Sequence, residues 1–242
     1  LQEACPGFVA MACFLHVMNL VLVNSYLSSF GDEERGVCSA LRIGYMMSYL
    51  HHKFPDEWRG WCADNGHDDI SYTAAGAAKT RWWSVTAAFG DCYKNRAAYQ
   101  HWCTYMTVVH KGGYNSCFTE MAAWLQNNKV LCDMSLILGF CTIWWNPEME
   151  WLQGVGHWQA HLPPAAQKAG YRANEMPWRV ILERRKLQEL EPPSAANLPG
   201  YTMDPRWSEY AKNRAVLTEG ERGQMDEEVA NFLNTALDVH GR

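Results

Sequence analysis

Residues 225–240 read MDEEVANFLNTALDVH and carry the clearest secondary-structure signal in the chain. The apolar residues recur at intervals of three and four, which places them on one face of an α-helix. Acidic residues 226–228 lie at its N-terminal end, where the helix dipole favours negative charge. This stretch predicts an amphipathic C-terminal helix whose apolar face is covered by the rest of the protein. The stripe consists of Met225, Val229, Phe232, Leu233, Ala236 and Leu237.

The same helical spacing recurs upstream, with little of the two-residue alternation that is typical of strands. It predicts helices over residues 32–52, 72–89, 94–109, 116–125, 130–145, 147–162 and 177–190. Pro and Gly punctuate residues 54–70 and 192–206, so we expect a loop and an irregular surface strap there. The chain is therefore predicted to be all-α, with about eight helices.

Charged residues are missing from a long stretch near the N-terminus, between Ala4 and Gly31. Its core, residues 7–27, reads GFVAMACFLHVMNLVLVNSYL. About 20 helical residues span a hydrocarbon core of about 30 Å, so the length fits a transmembrane helix. His16, Asn19 and Asn24 interrupt the apolar run, and the alternative is a fully buried helix of a bundle. No basic flank orients the segment in a membrane.

These patterns divide the chain into three parts. Residues 1–31 are expected to form an apolar anchor helix, residues 32–191 a helical body, and residues 192–242 the strap with the amphipathic C-terminal helix.

The composition excludes two classes of protein. Among the 242 residues, 48% are hydrophobic and 19% are charged, which excludes a largely disordered chain. A formal net charge of −5 leaves no basic footprint for nucleic acid, so we expect no nucleic-acid partner. The 12 tryptophans include the pairs Trp82-Trp83 and Trp144-Trp145. Adjacent rings on two helix faces favour a protein embedded in a larger assembly.

Nine cysteines are present, an odd number that cannot all pair within one chain. None forms a C-x-x-C motif, which disfavours zinc ribbons, thioredoxin motifs and haem attachment. Most lie among apolar residues, as buried free thiols do. We therefore expect the bulk of the protein to face a reducing compartment.

The strongest candidate metal site is on the predicted helix that begins at Pro147. Glu150, His157 and His161 fall within about 40° of one another around the helix axis. Two imidazoles and a carboxylate on one face suit Zn²⁺ or Fe²⁺. Gly154 and Gly156 weaken that helix, however, and no HExxH motif is present. The alternative is a solvent-facing pair of histidines.

Other candidate groups are weaker. The loop at residues 64–69 is rich in oxygen ligands, but it departs from the EF-hand pattern, and a turn followed by a helix cap explains it more simply. His51 and His52 end a predicted helix, where partial positive charge is favoured. His101 and His110 are single histidines that in principle ligate haem or chlorophyll. The basic run at residues 184–186 is expected to be a solvated face.

No nucleotide-binding, kinase or α/β-hydrolase motif occurs, and no local context indicates a nucleophile. We therefore expect a non-catalytic helical accessory subunit of a large membrane-bound complex, with lipid around residues 7–29 and other subunits as partners. No cofactor is assigned. The apolar segment, the reduced cysteines and a first residue other than Met favour an energy-transducing organellar membrane, mitochondrial inner or thylakoid.

Two alternatives stay open. The first is a helical-bundle metal-dependent enzyme or redox protein that uses Glu150, His157 and His161. The second is a soluble helical binding domain in which the N-terminal helix forms the core.

Overall fold

The computed structural model describes residues 20–30, 40–67, 69–70, 90–110, 112–145, 147, 186, 188, 190 and 205–240. Within these ranges all regular structure is helical and no strand occurs, which confirms the all-α prediction. The elements are α1 (20–30), α2 (Ala40–Lys53), α3 (Pro55–Asn65), α4 (90–94), α5 (Arg96–Val109), α6 (Asn115–Trp124), α7 (Asn128–Phe140), a π-helix (Cys141–Trp145), a 3₁₀-helix (Pro205–Trp207), α8 (Ser208–Ala215) and α9 (Glu219–His240).

Most of the predicted anchor lies outside the described residues, and only its last part is seen, as α1. In the part of the chain that the structure describes, no helix is both long and apolar enough to cross a bilayer.

The chain divides into two compact units, neither of them contiguous in sequence. Unit 1 comprises Leu1–Phe30, Gly139–Arg206 and Gly223–Arg242, and unit 2 comprises Gly31–Leu138 and Trp207–Arg222.

Unit 2 contains a helix where the sequence analysis predicted a loop. Pro55 is the first residue of α3, a position at which proline loses no helical hydrogen bond. Asp56 and Glu57 follow in the first turn, where negative charge is favoured. The loop prediction for residues 54–70 is therefore wrong for Pro55–Asn65: only Phe54 separates α2 from α3, and Gly66 ends α3 in the left-handed conformation with φ of 71°.

α5 supplies the centre of unit 2. Its buried face consists of Ala98, Tyr99, Trp102, Cys103 and Met106. Its end at Val109 is where the sequence predicted it, and the chain turns through Gly113 into α6. Phe118 and Met121 of α6 are fully buried, as their helical spacing predicts.

α7 follows the predicted helix of residues 130–145 as far as Phe140 and then widens. The last five residues form a π-helical turn, an uncommon conformation with one more residue in each hydrogen-bonded ring. Trp144 and Trp145, which belong to this turn, are both buried at 2% exposure. Consecutive indoles are thus both taken into the interior.

α9 confirms the predicted C-terminal helix and begins earlier than its apolar stripe. Met225, Val229, Phe232 and Ala236 are fully buried, whereas Leu233 and Leu237 flank them at half-buried positions. In unit 1, the Phe232 ring lies 4.9 Å from that of Phe140 and 6.3 Å from that of Phe30.

The start of α9 is fixed by a reciprocal capping box that the sequence analysis did not identify. The amide and hydroxyl of Thr218 donate to the Glu221 carboxylate at 2.8 and 2.7 Å, and the Glu221 amide donates to the Thr218 hydroxyl at 3.3 Å. The same hydrogen bonds lower the pKa of Glu221.

The end of the predicted strap is ordered rather than irregular. Residues 205–207 form a 3₁₀-helix that leads into α8, a helix that was not predicted. Trp207 and Tyr210 are buried, and their two rings meet edge to face at 6.2 Å. The rest of the strap, residues 192–204, lies outside the described residues.

Candidate functional site

The predicted metal ligands Glu150, His157 and His161 all lie outside the described residues, so that site stays a prediction. Within the residues that are described, no group of three or more His, Cys, Asp or Glu side chains is placed to hold a metal ion.

The loop of residues 64–69, a weaker candidate for calcium, contains the end of α3. Asp64 and Asn65 belong to the last turn of the helix, and the Asn65 amide group donates back to the carbonyl of Trp61 at 2.8 Å. The amide of His67 donates to the carbonyl of Cys62 at 2.9 Å and closes the helix end. Asp68 lies outside the described residues.

His51 lies in an aromatic cage rather than at a solvated helix end. Its ring stacks on Trp58 at 4.9 Å and contacts Tyr99 at 5.0 Å and Trp102 at 5.6 Å between centroids. The side chain is 2% exposed, and this burial lowers its pKa from 6.5 to about 4. The expectation of a helix-end positive charge is therefore wrong for His51, which is neutral at pH 7, whereas His52 next to it is exposed.

The two single histidines of α5 differ in their surroundings. His101 is exposed. His110, at the C-terminal end of α5, packs against Phe54 at 4.9 Å and against Phe118 and Tyr114 at 6.1 Å each. Its carbonyl accepts a hydrogen bond from the Asn115 side chain at 3.1 Å. His110 thus joins the end of α5 to α6.

Lys186, the member of the predicted basic run that is described, is exposed, as a solvated face requires.

The buried thiols of unit 2 are protonated, and two of its carboxylates are engaged by neighbouring side chains. Burial raises the pKa of Cys92 and Cys103 well above the ordinary thiol value, so both stay protonated. The Tyr99 hydroxyl donates to Asp91 at 2.6 Å, and burial together with this bond raises the tyrosine pKa. Asp133 is buried and pairs with Lys129 at 2.6 Å. The Tyr99–Asp91 bond joins α5 to α4, whereas the Lys129–Asp133 pair lies within α7.

A groove of about 680 Å³ lies between α3 and α5 in unit 2, and we call it the α3–α5 groove. The α3 side contributes two carboxylates, from Glu57 and Asp64, with Gly60 between them. The α5 side is apolar and contributes Tyr105, Met106 and Val109. The remaining lining residues are Trp61, Asn65 and His110. The groove therefore pairs an acidic wall with an apolar wall.

An exposed apolar stripe lies on α5, beside the α3–α5 groove. Tyr105, Val108 and Val109 are spaced i, i+3 and i+4 and are 48%, 71% and 50% exposed. The sequence predicts this helix, but the exposed stripe on it was not among the predicted features. The signal that predicts it is the number of apolar residues near the end of α5, because one helix face cannot bury all of them.

Comparison with known proteins gives no relative. No protein-family model matches the chain, and neither a curated protein nor a solved structure is detectably similar to it.

Proposed function

We propose that this chain is a non-catalytic helical accessory subunit that acts by docking onto other proteins of a membrane-bound assembly. The observation that carries the proposal is the exposed stripe of Tyr105, Val108 and Val109 beside the α3–α5 groove. Contiguous apolar side chains at a rimmed surface are typical of protein interfaces.

Burial of this stripe by a partner favours association through the hydrophobic effect, and no catalytic activity is required. Removing apolar area from water contributes about 25 cal/mol per Å². Val108 and Val109 are exposed and β-branched, so they lose little side-chain freedom when a partner covers them. Aromatic residues such as Tyr105 are enriched at the centres of interfaces.

The membrane part of the proposal rests on the sequence. The charge-free stretch from Ala4 to Gly31 motivates attachment through residues 7–29. The placement in an energy-transducing organellar membrane also rests on this segment and on the cysteines, of which Cys92, Cys103 and Cys141 are buried free thiols as predicted.

Alkaline-carbonate extraction of native membranes tests the attachment, with the chain followed by mass spectrometry. Retention in the pellet supports a membrane-embedded segment. Release into the supernatant removes the membrane part of the proposal and leaves docking to be tested alone, as a soluble binding domain.

Native electrophoresis after mild detergent extraction tests the docking. We expect the wild-type chain to migrate within an assembly much larger than its own mass. Val108→Glu should release it, whereas Ala97→Glu, which puts the same charge on an exposed position at the other end of α5, should not. A wild-type chain that migrates as a monomer, with no protein co-purifying, contradicts the proposed function.

A further inference from the structure

The α3–α5 groove is shaped by the large rings beneath it. Trp58 of α3 packs against Tyr99 and Trp102 of α5, with centroids 4.8 and 5.0 Å apart. The side chains at a contact set the separation of two packed helices, and indole and phenol rings set a wide one. The outer edges of the helices therefore remain apart, and the groove lies between them.

Gly60 keeps the acidic wall of the groove open. A Cβ atom built at this position meets no atom within 4 Å, so the space above the glycine is unfilled. Six of the nine lining residues are exposed, and the groove is therefore accessible from solvent. A volume of about 680 Å³ accommodates several side chains of a partner.

The charge of the groove selects for a cationic partner. Glu57 and Asp64 both line it, and no Lys or Arg of the described residues does. The basic residue of α3, Arg59, lies outside the lining and pairs with Asp56 at 3.6 Å. Glu57 and Asp64 are seven positions apart on α3, which is a rise of about 10 Å along the helix.

We infer that the α3–α5 groove binds an amphipathic helix of a partner protein that carries a row of apolar residues and two Lys or Arg residues two turns apart. The apolar row lies against Tyr105, Met106 and Val109, and the basic residues reach Glu57 and Asp64. Helix-in-groove recognition with such spacing is a recurring mode of docking. The inference rests on the proposed function, because it names the partner element that the docking requires.

Three other occupants fit the groove less well. Two carboxylates about 10 Å apart along a helix cannot coordinate one metal ion together. Anionic lipid headgroups are repelled by the acidic wall. A small organic cation needs an open aromatic face, but Trp61 is 8% exposed and its ring is already stacked on His67 at 5.3 Å.

A display library of helical peptides, 15 residues long with randomised surface positions, tests the inference on the purified full chain. We expect enrichment of peptides with basic residues two turns apart and apolar residues between them. Each enriched peptide is then synthesised with a fluorescent label, together with a twin in which Glu replaces the basic residues, and binding is measured by anisotropy. The twin should bind at least about tenfold more weakly, and added salt should lower the affinity of the basic peptide.

Matched variants locate the binding. Gly60→Leu fills the open space and should abolish binding, whereas Gly220→Leu, at another exposed helical glycine with open space around it, should leave it unchanged. The double variant Glu57→Gln with Asp64→Asn should weaken binding about tenfold or more at low salt. Asp56→Asn removes a carboxylate of the same helix that lies outside the groove, and it should change the peptide affinity by less than about twofold. Far-ultraviolet circular dichroism confirms that each variant is folded.

Three results would overturn the inference: no enrichment of basic peptides, equal binding of the acidic twin, or peptide binding that Gly60→Leu leaves unchanged. A groove occupied by a second copy of this chain would also overturn it, and sedimentation would show this as self-association lost in Gly60→Leu. Failure of the proposed function is a separate result. It is observed when the wild-type chain migrates as a monomer in native electrophoresis, and it does not depend on the outcome of the peptide binding.

Discussion

Asn213 of α8 donates a 2.6 Å hydrogen bond from its side-chain nitrogen to the hydroxyl of Tyr93, which lies 120 residues earlier in the chain. The same nitrogen donates to the carbonyl of Leu131 at 3.2 Å, and the Tyr93 hydroxyl donates to Glu209 at 3.3 Å. α8 is thereby joined to two other segments of unit 2 by side-chain hydrogen bonds.

Asn213→Ala should lower the free energy of unfolding by about 1–3 kcal/mol, because it removes the donor of two partly buried hydrogen bonds, to the Tyr93 hydroxyl and to the Leu131 carbonyl. Tyr93→Phe should cost a similar amount, and the double variant less than the sum, with a coupling of at least about 0.5 kcal/mol. Urea denaturation measures all three. Lys212→Ala, which removes an exposed partner of Glu209, is the control and should have no measurable effect. Strict additivity of the two variants would mean that the Tyr93–Asn213 bond does not form in solution.

The buried His51 predicts a loss of stability in mild acid. Its folded pKa of about 4 lies below the ordinary value of 6.5, so the unfolded chain takes up a proton first as the pH falls. The contribution of neutral His51 to the free energy of unfolding is therefore intact above pH 6.5. It is lost as the pH falls from 6.5 to 4, and the total loss is roughly 3 kcal/mol.

Urea titrations at pH 7, 5.5 and 4.5 test this, with His51→Leu as the variant. The difference in stability between wild type and His51→Leu should shrink or reverse towards pH 4.5, because leucine has no proton to bind. His52→Gln changes an exposed neighbour and should keep the wild-type pH dependence. Parallel pH curves for wild type and His51→Leu would show that His51 is not buried as a neutral group.

The capping box of α9 predicts that Thr218→Ala lowers the free energy of unfolding by about 1 kcal/mol, because the Glu221 amide loses its acceptor. Thr218→Ser keeps the hydroxyl and should retain most of the stability. Thermal denaturation of the two variants measures the difference. Equal melting temperatures for Ser and Ala would contradict a role for the cap.

Thiol reactivity should follow burial. Cys117 is half-buried, whereas burial raises the pKa of Cys92, Cys103 and Cys141 and suppresses the thiolate that reacts. Iodoacetamide at pH 8, followed by peptide mapping, should label Cys117 first among these four. Comparable rates at Cys103 and Cys117 in the folded protein would contradict the burial of α5.

The sequence-predicted metal site has its own test. If Glu150, His157 and His161 form a site, elemental analysis of the pure protein should find close to one metal per chain, because a formed site is stoichiometric. His157→Ala should remove the metal and His101→Ala, an exposed histidine elsewhere, should not. A content below about 0.2 metal per chain ends the hypothesis.

Periodicity predicted the elements whose apolar residues form one clear stripe. The buried row from Met225 to Ala236 follows directly from its spacing, and the end of α5 at Val109 follows from the glycine pair Gly112-Gly113. α8 was not predicted because its sequence, SEYAKNRA, offers a single buried residue, Tyr210, and is held by hydrogen bonds to distant parts of the chain. Such long-range bonds leave no periodic trace in the sequence.

The candidate site escaped prediction for a related reason. A loop is predicted at residues 54–70 because proline interrupts helices, but proline also begins them, as Pro55 does in α3. Without α3, the two-turn spacing of Glu57 and Asp64 had no meaning. The cage around His51 depends on three rings from two other helices, which a local pattern does not bring together.

The division into units has a consequence for the order in which the protein matures on the ribosome. Phe30 and Phe232 belong to the same unit and meet at 6.3 Å, yet they lie near opposite ends of the chain. Synthesis proceeds from the N-terminus, and a domain completes its fold only after its last segment has emerged. Unit 2 has all its residues once Arg222 is released, whereas unit 1 must wait for the final helix. The apolar residues of its first segment are therefore left for a chaperone or another apolar surface to cover until α9 has emerged.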